Sequence, residues 1–119
     1  MDQNKYCIRS DGLLNNRTVY THIIFKYEDP GAHYHDFIEF FYVLEGECLH
    51  LLDKTATKIT SGDACLLTPN NVHAFQKTGN TFLHRDILFQ TDYFRSVCNL
   101  YSPDLYEKFT NGVLCKQIK

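Results

Sequence analysis

The chain alternates short apolar runs with clusters of turn-forming residues, at the pitch of β-strands. Strand-like runs fall at Val19 to Lys26, Phe37 to Leu44, Cys48 to Leu52, Thr57 to Ile59, Ala64 to Leu67, Val72 to Gln76 and Leu83 to Phe89. Turn signals separate them at 28–31, Glu45-Gly46, Asp53-Lys54, Ser61 to Asp63, Pro69 to Asn71 and Thr78 to Asn80. Many short strands at this spacing predict a mainly β, antiparallel sandwich or barrel. Residues 1–18 are polar, with turn signals at Asp11-Gly12 and Asn15-Asn16, and are expected to form an arm. The β core is expected over 19–90.

After Phe89 the periodicity changes from two to that of a helix. Thr91 or Asp92 can cap a helix through Tyr93, Phe94, Val97 and Cys98, and Ser102-Pro103 can begin another through Leu105, Tyr106 and Phe109, closed by Asn111-Gly112. The stretch 91–119 therefore reads as a helical tail. The run from Phe37 to Leu44 is apolar in both parities, so its outer face should be covered by a sheet, a helix or a partner.

Within this pattern stand residues that apolar packing does not call for. If the strand is continuous, His33, His35, Phe37, Glu39, Phe41 and Val43 share one face, and the strand from Val72 can bring His73 against them. Three imidazoles and a carboxylate suit Zn, Mn, Fe, Ni or Cu, and the donors alone do not choose among these. The same set can instead line a metal-free polar pocket, hydrogen-bonded within itself or to water.

The segment His33-Tyr34-His35-Asp36-Phe37-Ile38-Glu39, followed by Gly46, resembles the first cupin motif. The segment from Gly62 to His73 is similar to the second, with Thr68 where Pro is common and Asn70 where the turn Gly is common. More specifically, HYHDFIEFFYVLEGE, ITSGDACLLTPNNVHAF and LHRDILFQTDYF resemble, in order and spacing, the sensor half of AraC-type transcriptional regulators, over about Val19 to Phe94. The resemblance implies a cupin-like barrel (a double-stranded β-helix). It also implies a small polar effector, such as a sugar, homodimerisation through the helical tail, and DNA contact through a separate C-terminal helix-turn-helix domain absent from this chain. It further places His84 where a pocket histidine touches sugar in arabinose-responsive members, and Phe75 where an aromatic ring closes the pocket. The expected ligand-binding residues are thus His33, His35, Glu39, His73, Phe75 and His84, with the first four as metal ligands if a divalent metal is bound. A free-standing metal-dependent cupin enzyme, a dioxygenase or isomerase, is the alternative, and a metal-free carbohydrate-binding module a third.

Composition narrows the field. At 119 residues, 44% hydrophobic and 14% aromatic, the chain can bury one core. A net charge of -2 predicts no basic face for nucleic-acid phosphates. Five cysteines without a CxxC pair read as reduced thiols, and the absence of an apolar leader or long apolar stretch points to a cytoplasmic protein without membrane insertion. His50 can face cavity or solvent, His22 is expected on an outer face, and Arg85 and Asp86, on opposite strand faces, each read as part of a structural ion pair elsewhere or as a solvated charge.

Overall fold

The computed structural model describes residues 6–8, 17–24, 32–69, 71–111 and 117–118. The turn signals at 11–16 and 28–31, Asn70, Gly112, Cys115 and the side chains of Cys7 and His22 lie outside the described residues. The strands are β1 (Tyr6–Ile8), β2 (Val19–Ile24), β3 (His33–His35), β4 (Ile38–Leu52), β5 (Thr55–Thr60), β6 (Ala64–Leu67), β7 (His73–Phe89) and β8 (Gln117–Ile118). Two helices, α1 (Thr91–Tyr101) and α2 (Leu105–Thr110), intervene between β7 and β8.

Two long antiparallel strands, β4 and β7, form the spine. Their outer segments pair from Ile38↔Phe89 to Val43↔His84 and their inner segments from Cys48↔Lys77 to Leu52↔His73. β6 flanks the first half of β4 and β5 its second half. β2 flanks the C-terminal half of β7, while β3 meets its start at His33↔His73. Each spine strand thus serves two half-sheets that fold toward one another, and side chains from both fill the space between. Phe41, Val43, Cys48, Ile59, Cys65, Leu67, Phe75 and Phe82 make one buried cluster. Burying each large apolar side chain contributes roughly 1.5–3 kcal/mol.

The spine corrects two predicted turns. Glu45-Gly46 and Thr78 to Asn80 do not end strands; they lie inside β4 and β7, at register shifts between Val43 and Glu45 and between Gly46 and Cys48. Leu44 has no partner across the ladder at the first shift and is 37% exposed. These bulges bend the spine and change which parity faces inward. In β4 the buried positions of the inward parity are Glu39, Phe41 and Val43, then Cys48 and His50; in β7 they are His73 and Phe75, then Phe82, His84, Asp86 and Leu88, with Ile38 and Ala74 buried on the opposite parity.

A third expectation also changes. The strand from His33 is interrupted at Asp36 and Phe37, where the chain passes from β3 to β4 on opposite sides of β7. Parity survives the break, since His33, His35, Phe37 and Glu39 are all buried. On the outer face Ile38 is fully covered, Phe40 and Tyr42 only partly. The sheet also extends beyond 19–90: β1 pairs with β3 in parallel and β8 with β6 antiparallel.

The residue that caps α1 is Gln90, without a side-chain cap bond, rather than Thr91 or Asp92. Thr91 Oγ1 instead donates to the Asp36 carbonyl at 3.1 Å, tying the helix start to the bend between β3 and β4. Phe94 packs on Phe89, Tyr106 and Phe109.

The turn before His73 is held by side chains. Asn71 Oδ1 accepts from Thr68 N at 2.9 Å and Thr68 Oγ1 at 3.0 Å, and Asn71 Nδ2 donates to Asp53 Oδ2 at 3.0 Å. Asp53 Oδ1 accepts from Val72 N at 3.0 Å. Thr68 and Asn71 are buried, so their polar groups have no recourse to water. Asn71→Ala is expected to lower stability by about 2–3 kcal/mol, measured by urea unfolding, because it orphans Thr68 N and its hydroxyl. A loss below about 0.5 kcal/mol would show that the turn holds without this network.

Candidate functional site

β3 contributes His33 and His35, and β7 contributes His73, through the backbone pairing His33↔His73. One nitrogen from each of the three imidazoles lies within 4.8 Å of the others, and all three rings are buried. His73 Nε2 stands 3.3 Å from His35 Nε2. Two nitrogens bound to one tetrahedral zinc at roughly 2.0–2.1 Å are about 3.4 Å apart, so these two atoms are spaced as metal ligands are. Glu39 is not one of the three; its Oε1 reaches His35 Nε2 at 3.1 Å from the next strand.

Burial decides the protonation of the cluster. Desolvation, followed by the charge of His33, pushes the His35 pKa down to about 3. Desolvation, then His33, His35, His50 and His84, holds His73 well below the ordinary histidine value. Both rings are neutral at pH 7, the form that ligates metal. Glu39 shifts the other way: desolvation, then the charge of Asp86 and a hydrogen bond to it, raises its pKa well above the usual carboxylate range. The shift favours the protonated carboxyl, the form that can donate to Asp86.

Two residues left without a site role by the sequence belong to this network. His50, fully buried, places Nε2 3.1 Å from His73 Nδ1. With Nδ1–H of His73 donating to His50, the Nε2 lone pair of His73 faces His35, the orienting contact that ligating histidines use. Asp86 is not solvated but pairs within the interior: it is 8% exposed and its Oδ1 accepts from His84 Nδ1 at 2.6 Å. The groups form a chain through the interior: His50, His73, His35, Glu39, Asp86, His84.

His84 and Phe75 line the same interior. Phe75 packs in edge-on and tilted contacts among Phe41, Phe82, His50, His73 and His84, at centroid distances of 5.2–5.4 Å. His84 contacts Phe41, Phe75 and Phe82. An open cleft of about 320 Å3, walled by Ala32, Leu51, Val72 and Ala74 with Asp53 and Lys54 at its edge, has His73 in its lining. His73 is thus shared between the cleft and the buried cluster. The donor set fits a divalent metal: His35 and His73 held neutral, ligand spacing between them, and an orienting partner for His73.

A bent pair of half-sheets with histidines from the first and second motifs meeting inside is the cupin architecture. By sequence, residues 22–117 match the family model described as AraC-like ligand binding domain, and the chain belongs to that family. Among solved structures it is similar to an RmlC-like cupin from Shewanella frigidimarina NCIMB 400, at 24% identity and a TM-score of 0.54 over 66% of this chain and 73% of that one. It is also similar to a predicted oxalate decarboxylase from Thermotoga maritima, at 23% identity and a TM-score of 0.52 over 67% of this chain and 72% of that one. Bacillus subtilis oxalate decarboxylase, a protein with Mn(II) centres, gives 11% identity and a TM-score of 0.55 over 69% of this chain and 24% of that one. No curated protein matches this chain in sequence. Among the described residues no helix is long and apolar enough to cross a membrane.

Proposed function

We propose that this chain is the effector-binding domain of an AraC-type bacterial transcriptional regulator, which works in the cytoplasm and senses a small polar molecule, a sugar being the first class to test. The observation that supports this most is His73, which joins an open cleft to a buried polar cluster inside a ligand-binding family fold. His33, His35, His73, Glu39 and His84 supply donors and acceptors, and Phe75 an apolar ring, the mixture that orients a polar ligand. A divalent metal held by His33, His35 and His73, with Glu39 beside them, would add a Lewis-acidic point for a ligand oxygen.

An effector acts by binding one state of the regulator more tightly than another. The element that would carry the change is the helical tail over 91–119. On α1, Leu100 is 84% and Tyr101 82% exposed in the single chain, an apolar surface suited to a second copy. DNA would be read by a separate helix-turn-helix domain.

The test is thermal unfolding against a panel of sugars and small polar acids, with and without Zn2+ or Mn2+. A ligand at 100 times its Kd adds about 2.7 kcal/mol, a Tm rise of roughly 10 °C. Absence of any rise across the panel, with the metals present, would defeat the sensor reading. The second reading is a metal-dependent enzyme, favoured by the three-histidine cluster. Elemental analysis of chelator-free protein separates the two. Stoichiometric manganese or iron with turnover of a panel compound supports the enzyme, whereas ligand binding without turnover supports the sensor.

A further inference from the structure

We propose that the cleft beside His73 takes a small hydroxy acid, and that Lys54 is the residue that reads its carboxylate. This rests on the sensor reading and narrows its ligand from polar molecules in general to acids of the sugar-acid kind. Asp53 and Lys54 form the two-residue connection between β4 and β5, closed by the pair Leu52↔Thr55. Leu52 is also the ladder partner of His73, so Lys54 stands two residues beyond the position that faces the histidine. Both line the same cleft, His73 buried and Lys54 exposed.

The connection is held in place. Asp53 has φ of 55°, in the left-handed region that residues other than Gly disfavour, and hydrogen bonds keep it there. Its N–H donates to the Val72 carbonyl at 2.7 Å, while Oδ1 accepts from Val72 N at 3.0 Å and Oδ2 from Asn71 Nδ2 at 3.0 Å. The strained turn carrying Lys54 is thereby fastened to the residues just ahead of His73. Both oxygens of Asp53 are engaged by that turn, whereas the Lys54 ammonium is left for a ligand. Among the described residues the lysine and arginine side chains paired with carboxylates are Lys58, Arg95 and Lys108, and Lys54 is in none of these pairs. An uncommitted positive charge thus sits at the edge of a cleft whose wall side chains, Ala32, Leu51, Val72 and Ala74, are apolar. At about 320 Å3 the cleft lies near the lower end of the roughly 300–1,000 Å3 usual for small-molecule sites, so its occupant is small. A single ammonium also matches the single charge of a carboxylate better than the nearly double charge of a phosphate. The acid would take a charge-assisted bond at Lys54 and turn its hydroxyls toward His73.

The experiment is isothermal titration with matched probes that differ in the carboxylate: gluconate with sorbitol, galacturonate with galactose, and glycerate with glycerol. Metal content is held the same for every variant. At least one acid should bind about 10-fold or more tightly than its neutral partner, the margin expected of a bond to a charged group. Lys54→Gln should remove that margin while leaving the neutral partner within about 2-fold, and Lys54→Arg should restore it. Raising the ionic strength should shrink the margin in the wild type, because the ammonium is exposed. Without ligand both variants should unfold at the wild-type Tm, since the side chain they change lies on the surface.

Neutral partners that bind as tightly as the acids, or an acid preference that survives Lys54→Gln, would overturn the proposal and leave the sensor reading standing. Glycerol 3-phosphate binding ahead of glycerate would overturn the carboxylate in favour of a phosphate. A preference for glucosamine over galactose and galacturonate would move recognition to Asp53 and overturn it too. Silence from every probe also overturns the proposal, and the sensor reading is then decided separately by the wider thermal panel.

Discussion

Gly46→Ala is expected to remove most of the stability of this domain, lowering it by at least about 4 kcal/mol and emptying the soluble fraction on expression at 37 °C. Gly46 has φ of 85°, where a β-carbon is strained by roughly 1–2 kcal/mol. A second, larger effect comes from space: a β-carbon there would collide with the Thr81 carbonyl, backbone that cannot swing aside. Gly62 supplies the control. Its φ of 96° carries the same kind of strain, but nothing lies within 4 Å of an added β-carbon, so Gly62→Ala should cost only about 1–2 kcal/mol. Equal losses in urea unfolding would show that strain alone, and not the close approach of β4 to β7, explains the glycine of the first motif.

That comparison shows what the sequence can and cannot disclose. Both glycines were legible as motif positions, but their different demands depend on what stands across the sheet. The histidine cluster was legible for a simple reason: His33 and His35 are two apart on one strand, and the second motif ends on His73. His50 was not, because its facing depends on counting bulges. Simple alternation from Glu39 would put position 50 on the opposite face, and the register shifts around Leu44 and Gly46 turn it inward. Asp86 did leave a signal. It is two residues from His84 on β7, so a strand that aims His84 inward aims Asp86 inward as well. The two predicted turns misled for the opposite reason, since Gly46 and Gly79 mark bends within strands rather than their ends.

The buried network should also make the metal-free protein acid-sensitive in a particular way. His35 has its folded pKa lowered to about 3 from 6.5, and His73 is lowered too, so below pH 6.5 the unfolded chain binds protons that the folded one refuses. Stability contributed by these rings is present above 6.5 and lost as pH falls toward the folded values; for His35 the shift amounts to roughly 4–5 kcal/mol. Glu39, raised in the fold, has the reverse sign: acidification stabilises, from its folded pKa down to its unfolded value near 4.5. The two effects oppose each other between the folded pKa of Glu39 and 4.5, and below 4.5 only the histidine loss continues. Unfolding free energy should therefore fall more steeply below pH 4.5 than above it, with each histidine that still refuses its proton contributing up to about 1.4 kcal/mol per unit. Surface carboxylates add to the acid limb in every variant alike, so the decisive measurement is a difference. Urea unfolding of wild type and His35→Asn from pH 7 to 3.5 should show the variant's acid slope shallower by about 1.4 kcal/mol per unit. Parallel curves would mean that His35 is protonated in the folded protein, and the neutral cluster needed for metal or ligand would not exist.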